Sequence, residues 1–171
     1  MAITRLGGAN AITGTLPAAN INATSLGNVD VGKVLQVVQT TYSTNTNTNS
    51  NVYSDVFSGS ITPSSTSSKI LVMVHLQGVG KSFNDTTPQF KLLRNTDDIH
   101  NISSVVALTS NSDTDYVGTV STSYLDSPST TSSTTYKIQF RSRANLSQVY
   151  VNNAFVAGDS VSSITLMEIA G

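Results

Sequence analysis

Five consecutive residues, Gly78-Val79-Gly80-Lys81-Ser82, have the types and order that can cradle a phosphate. Glycines let backbone amides approach the anion, a lysine reaches it, and a serine hydroxyl holds its metal. The full pattern needs another glycine five residues before Gly80, and that position is His75. It also needs a helix N-terminus after the serine to aim amides at the phosphate. Phe83-Asn84-Asp85-Thr86-Thr87-Pro88 cannot start a helix and reads as a loop. The segment is therefore expected to be a glycine-bearing strand end, with no cofactor.

His75 and His100 are the only histidines, and there is no cysteine. A zinc site needs three or four N, S or O ligands at suitable spacing, and neither histidine has a second His or Cys near it, so no metal is expected. Without cysteine a disulfide framework is impossible as well. His75 reads as a strand-end side chain facing a subunit contact; on a threefold axis it could meet its own copies around an ion. Asp97-Asp98 and Asn111-Ser112-Asp113-Thr114-Asp115 bring carboxylates close, yet neither carries the ligand series of a calcium loop. Asx turns between strands account for both.

Catalysis finds little support. Hydrolysis of a glycoside would need two carboxylates in one cleft, and the chain has 10 Asp and Glu in all, with no Trp to line such a cleft. No Gly-x-Ser-x-Gly elbow occurs, so no catalytic residue is assigned and the chain is expected not to be an enzyme. Asn22-Ala23-Thr24, Asn101-Ile102-Ser103 and Asn145-Leu146-Ser147 match a glycosylation sequon, as chance matches do in so Asn-, Ser- and Thr-rich a chain. Lys91, Lys137, Arg141 and Arg143 alternate with apolar neighbours on strands. They read as a solvated sheet face, with the binding of polar sugars or anionic polymers as the sharper alternative.

Composition narrows the class further. Net charge is −1 and charged residues make up 11%, well under the roughly 25% of an ordinary soluble domain. Ser, Thr and Asn replace them, which suits sheet surfaces and turns. Nucleic acid is not an expected partner, because no basic stripe is present to displace counterions. No stretch approaches the ~18 apolar residues of a membrane span. Met1-Ala2-Ile3-Thr4-Arg5-Leu6-Gly7-Gly8 lacks a secretory apolar core, so folding in a cytoplasm is expected.

The elements that must position any site are strands. Lys33–Tyr42, Val52–Ile61, Lys69–Leu76, Pro88–Arg94, Ile102–Leu108, Tyr116–Leu125, Thr135–Arg143, Gln148–Val151 and Ser162–Ile169 are each bounded by Ser, Asn, Asp, Gly or Pro clusters. An irregularity is expected at Gly59, and Ser43–Asn51 reads as a loop without an apolar residue. Turn signals every 8–12 residues with no helical stripe predict an all-β sandwich or jelly roll. Lys69 to Leu76 is the longest apolar run, and it does not alternate as a strand with one wet face should. Ile70, Val72 and Val74 point one way; Leu71, Met73 and Leu76 are assigned largely to the other. Both faces then want cover, and a second copy of the subunit is the expected one. Residues 1–32 keep neither period. They are either a disordered leader or an extended arm whose Ile3, Leu6, Ile12, Leu16, Ile21, Leu26 and Val29 plug into a partner. The head is then 33–171.

Two stretches carry a family resemblance. Ala11-Ile12-Thr13-Gly14-Thr15-Leu16-Pro17-Ala18-Ala19-Asn20-Ile21, with Ser25-Leu26-Gly27-Asn28, resembles the leader and linker of tail fibre and other virion proteins of marine bacteriophages. The segment from Tyr124 to Ser142, with Ser163-Ile164-Thr165-Leu166-Met167-Glu168-Ile169-Ala170-Gly171, is similar to the closing β-domain of the same group. The resemblance implies a homotrimer of jelly-roll, tumour-necrosis-factor-like heads, located in the virion and joined to other virion proteins by the N-terminal arm. Leu71, Met73, Leu76, Met167 and Ile169 are then the expected trimer contact, and the seven apolar arm residues the virion attachment. Tail fibres commonly carry a longer shaft, which leaves the attachment site open: a small fibre or spike touching a host glycan or protein is the expected role, a decoration subunit cementing a capsid the first rival, and a glycan depolymerase the second.

Overall fold

The computed structural model describes residues 32–82, 85–104, 106, 118–144, 147–153 and 160–171. Among them the chain forms ten strands and no helix: β1 (Val34–Tyr42), β2 (Thr46–Thr48), β3 (Ser54–Ile61), β4 (Lys69–Lys81), β5 (Pro88–Arg94), β6 (Asp97–Ser103), β7 (Gly118–Asp126), β8 (Thr134–Ser142), β9 (Val149–Val151) and β10 (Ser162–Ile169). The all-β expectation holds.

The pairing is nested. β1 lies antiparallel to β10, β3 to β8, β4 to β7 and β5 to β6. Each pair thus encloses the next along the chain, as in a hairpin rolled upon itself, which is the jelly-roll arrangement. Cross-pairing of β10 with β4 and of β5 with β8 completes two sheets, in the order β1-β10-β4-β7 and β3-β8-β5-β6. β4 also runs on through Lys81 to pair with β9, which carries β2 at its edge.

The core lies between the sheets and follows from period-two alternation. Ile70, Val72, Val74 and Leu76 of β4, with Ile164 and Leu166 of β10, meet Tyr136, Ile138 and Phe140 of β8 and Phe90 and Leu92 of β5. Burying each such side chain is worth about 1.5–3 kcal/mol. Phe90 and Phe140 stack with centroids 6.2 Å apart. One polar cluster also spans the two sheets: Arg94 of β5 places Nη1 3.0 and 3.1 Å from the Asp126 carboxylate of β7, and the Tyr136 hydroxyl donates to the same group.

Several boundaries differ from the sequence-based expectation. Thr46–Thr48, inside the expected loop, forms β2 because it borders Val149–Val151, although it has no apolar residue of its own. β6 begins at Asp97 rather than Ile102, since Asn95 takes a left-handed conformation (φ 54°) and tightens the turn to Asn95 and Thr96. The irregularity in β3 falls between Asp55 and Phe57, not at Gly59. Both Val56 and Phe57 are buried there. The Gly78–Lys81 segment continues β4. At Gly78 (φ 55°) a Cβ would come within 2.6 Å of the Asn153 amide nitrogen, so the glycine serves close backbone packing.

Candidate functional site

β4 divides its apolar residues by parity. From Lys69 to Leu76 even-numbered positions face the core, and odd-numbered Leu71, Met73 and His75 face outward; past the register shift after Leu76 the phase changes, and Val79 is buried. Leu76 therefore belongs with Ile70, Val72 and Val74: its exposure is 0%. This corrects its assignment to the outer face, since its side chain is spent on the subunit's own interior and cannot contact another copy.

The strand registers then build an outer surface that no single segment reveals. Val37 of β1 stands beside Met167 of β10, Met167 beside Leu71 of β4, and Leu71 beside Leu125 of β7. At about 4.8 Å between strands this apolar row is ~14 Å wide. Val37 and Leu125, at its ends, are 53% and 51% exposed. The next row reads Gln39, Thr165, Met73 and Ser123, and the one after it Thr41, Ser163, His75 and Ser121. An open depression lined by Met73, Ser121 and Ser123 adjoins the row. On the other side Ile169 pairs with Lys69 and with Val34, itself exposed.

Of the residues assigned from sequence, Leu71, Met73, Met167 and Ile169 thus share the outer face, and Leu76 does not. Val37 and Leu125 were missed. Each sits beside another apolar residue (Val38, Tyr124), a doubling that marks a strand apolar on both faces. Ile3, Leu6, Ile12, Leu16, Ile21, Leu26 and Val29 lie outside the described residues, as do Asn111–Asp115.

The other sheet presents a different surface. Asp55, Gln139, Lys91 and Asn101 form one row across β3, β8, β5 and β6, with Arg141 and Gln89 in the next. Lys137 pairs with Asp55 at 2.8 Å and Lys91 with Asp98 at 3.1 Å. The Lys137 ammonium, followed by the Gln139 amide, holds the Asp55 carboxyl below its ordinary pKa. Lys91, Lys137 and Arg141 are on this outer face, as their alternation with apolar neighbours suggested.

The remaining chemical candidates stay apart. His75 lies outside the first sheet, with its Nε2 3.2 Å from the Gln77 side-chain amide. His100 points inward from β6, stacked on Tyr124 at 4.9 Å and 3.2 Å from the Thr122 hydroxyl. Among the described residues no three His, Cys, Asp or Glu side chains gather as metal ligands.

No protein-family model matches the chain, and no curated protein sequence does. Among solved structures, the crystal structure of the infectious bursal disease virus VP2 subviral particle matches 80% of this chain at 12% identity, with a TM-score of 0.50. Structures of the Gx and Gt strains of that virus match 80% and 82% of this chain at 12% and 10% identity, with TM-scores of 0.42 and 0.41. The chain spans 33%, 36% and 39% of those three chains, roughly a third of their length. What the likeness to the VP2 subviral particle shows is a shared β-sandwich fold.

Proposed function

We propose that the chain is a non-enzymatic structural subunit of a bacteriophage particle. Three jelly-roll heads close their apolar sheet faces against one another, and residues 1–32 join the trimer to other virion proteins as a fibre or spike that contacts the host surface. One observation carries the reading: the Val37–Met167–Leu71–Leu125 row sets four apolar side chains side by side on the outer sheet face, with Val37 and Leu125 exposed. Apolar area buried between copies is worth roughly 25 cal/mol/Å², and a standard contact buries about 800 Å² per partner. Much of that gain offsets association and ordering costs, and the surplus holds the assembly. The phage-like sequence stretches and the fold shared with a subviral particle support a place in the virion.

A decoration subunit cementing a capsid is the second reading, favoured by the likeness to a protein that builds a particle. The test has two parts. Sedimentation equilibrium of the whole chain gives a trimer mass if the faces close, and a monomer mass at micromolar concentration refutes that closure. Electron microscopy of particles carrying a tagged copy gives the location: label on the tail supports the fibre or spike, and label over the shell replaces it with cementing.

A further inference from the structure

We propose that Tyr53, Lys91 and Arg141 form a subsite for the carboxylate of an acidic sugar in a surface polysaccharide. This deepens the proposed host contact and rests on it. When the apolar sheet closes between copies, the β3-β8-β5-β6 face is the one left outward.

The site is built before any ligand arrives. The Arg141 guanidinium lies over the Tyr53 ring at 4.5 Å, and the Lys91 ammonium lies over the same ring at 4.4 Å. Arg141 Nε donates to Gln89 Oε1 at 2.7 Å and Nη1 to the Asn51 carbonyl at 3.3 Å. Both acceptors are neutral. Lys91 shares its charge with Asp98 and Lys137 with Asp55, whereas no described carboxylate lies in ion-pair range of Arg141. Among the described residues three cations thus meet two carboxylates on this face, and the surplus is at Arg141. Stacking and hydrogen bonds already fix the guanidinium, so a ligand carboxylate does not have to order it.

The surroundings select the class of ligand. A planar guanidinium matches a carboxylate with paired charge-assisted hydrogen bonds. Gln89 stands opposite Arg141, and Gln139 and Asn101 stand either side of Lys91 in the neighbouring row. Their amide nitrogens donate to Ser104 O, Asp55 Oδ1 and Ser104 Oγ, and each keeps a second N–H for a sugar hydroxyl. A nucleic acid would need a basic stripe, which one surplus cation does not supply.

Isothermal titration of the whole chain with an alginate tetramer, a carboxylated oligosaccharide, is the test, with neutral maltotetraose as control. Binding of alginate alone is expected, weakening with added salt. Arg141→Gln and, independently, Tyr53→Ala should each weaken it about tenfold or more, with unchanged thermal melting. Equal binding of both oligosaccharides, no binding of alginate, or unchanged affinity in folded Arg141→Gln overturns the subsite. Sedimentation of the same samples separates the two ideas. A monomer that binds alginate keeps the subsite and removes the trimer, and a trimer that ignores alginate does the reverse.

Discussion

The hydroxyl of Tyr136 on β8 donates a 2.7 Å hydrogen bond to Oδ2 of Asp126 on β7, fastening one sheet to the other across the core. Tyr136 is fully buried, and that burial, followed by the hydrogen bond to the adjacent carboxylate, holds its phenol far above the ordinary range. Tyr136→Phe keeps the ring and loses a bond to a charged acceptor. It should cost about 1.5–3 kcal/mol in urea unfolding. A midpoint equal to that of the native chain would show that the bond contributes nothing net.

Glu168 is buried on β10 and accepts from Ser64 N at 2.7 Å, Ser64 Oγ at 2.6 Å and Gln36 Nε2 at 2.6 Å. Burial alone would raise its pKa, but the Ser64 and Gln36 donors outweigh burial and hold it at about 2 against an ordinary 4.5. The folded value is below the unfolded one, so this stabilisation is complete above pH 4.5 and is lost as pH falls from there towards 2. Thermal melting against pH should drop through that window. Glu168→Gln should melt lower at pH 7 and show a shallower acid limb; an acid limb identical to the native one counts against Glu168 as its source.

Val37 and Leu125 end the apolar row and are exposed in the single subunit. On the proposed closure of this face between copies, Val37→Lys and Leu125→Lys should leave subunit melting nearly unchanged while weakening association by about 2 kcal/mol each, some thirtyfold. Analytical ultracentrifugation across a dilution series reads this directly. Self-association that survives both substitutions would move the contact elsewhere.

Leu76 and Met73 are three positions apart on β4 and belong to opposite faces. Leu76→Ala should cost about 2–5 kcal/mol of folding stability, as a cavity in the core does. Met73→Ala should change the stability of the dissociated subunit by no more than about 0.5 kcal/mol. Chemical unfolding under dissociating conditions separates them, and similar losses at both sites would contradict the parity of the strand.

Gly78→Ala places a Cβ against Asn153 N in a left-handed backbone. A loss of about 1–3 kcal/mol is expected, with the β4–β9 pairing opening first. Hydrogen exchange at Val149–Val151 would report it, and unchanged protection there would place the strain elsewhere.

Local chemistry determined much of this protein. Apolar runs between Ser, Asn and Gly clusters mark β1, β5, β8 and β10 nearly to the residue and the start of β4, which runs five residues past the expected end at Leu76, because a strand bounded by turns is written in its own residues. β2 and β6 are not so marked: Thr46-Asn47-Thr48 is a strand through its partner, and Asp97 starts one through the turn before it. The apolar run of β4 announced two apolar faces, yet a run without alternation conceals which residue faces where, and Leu76 was placed on the wrong side. Tertiary structure alone made the row of Val37, Met167, Leu71 and Leu125, and the clasp of Tyr53 by Lys91 and Arg141. Those residues come from segments far apart in the chain, and only the register of paired strands brings them together, since each backbone hydrogen-bond ladder fixes its neighbours and a slip of one residue turns every side chain to the other face.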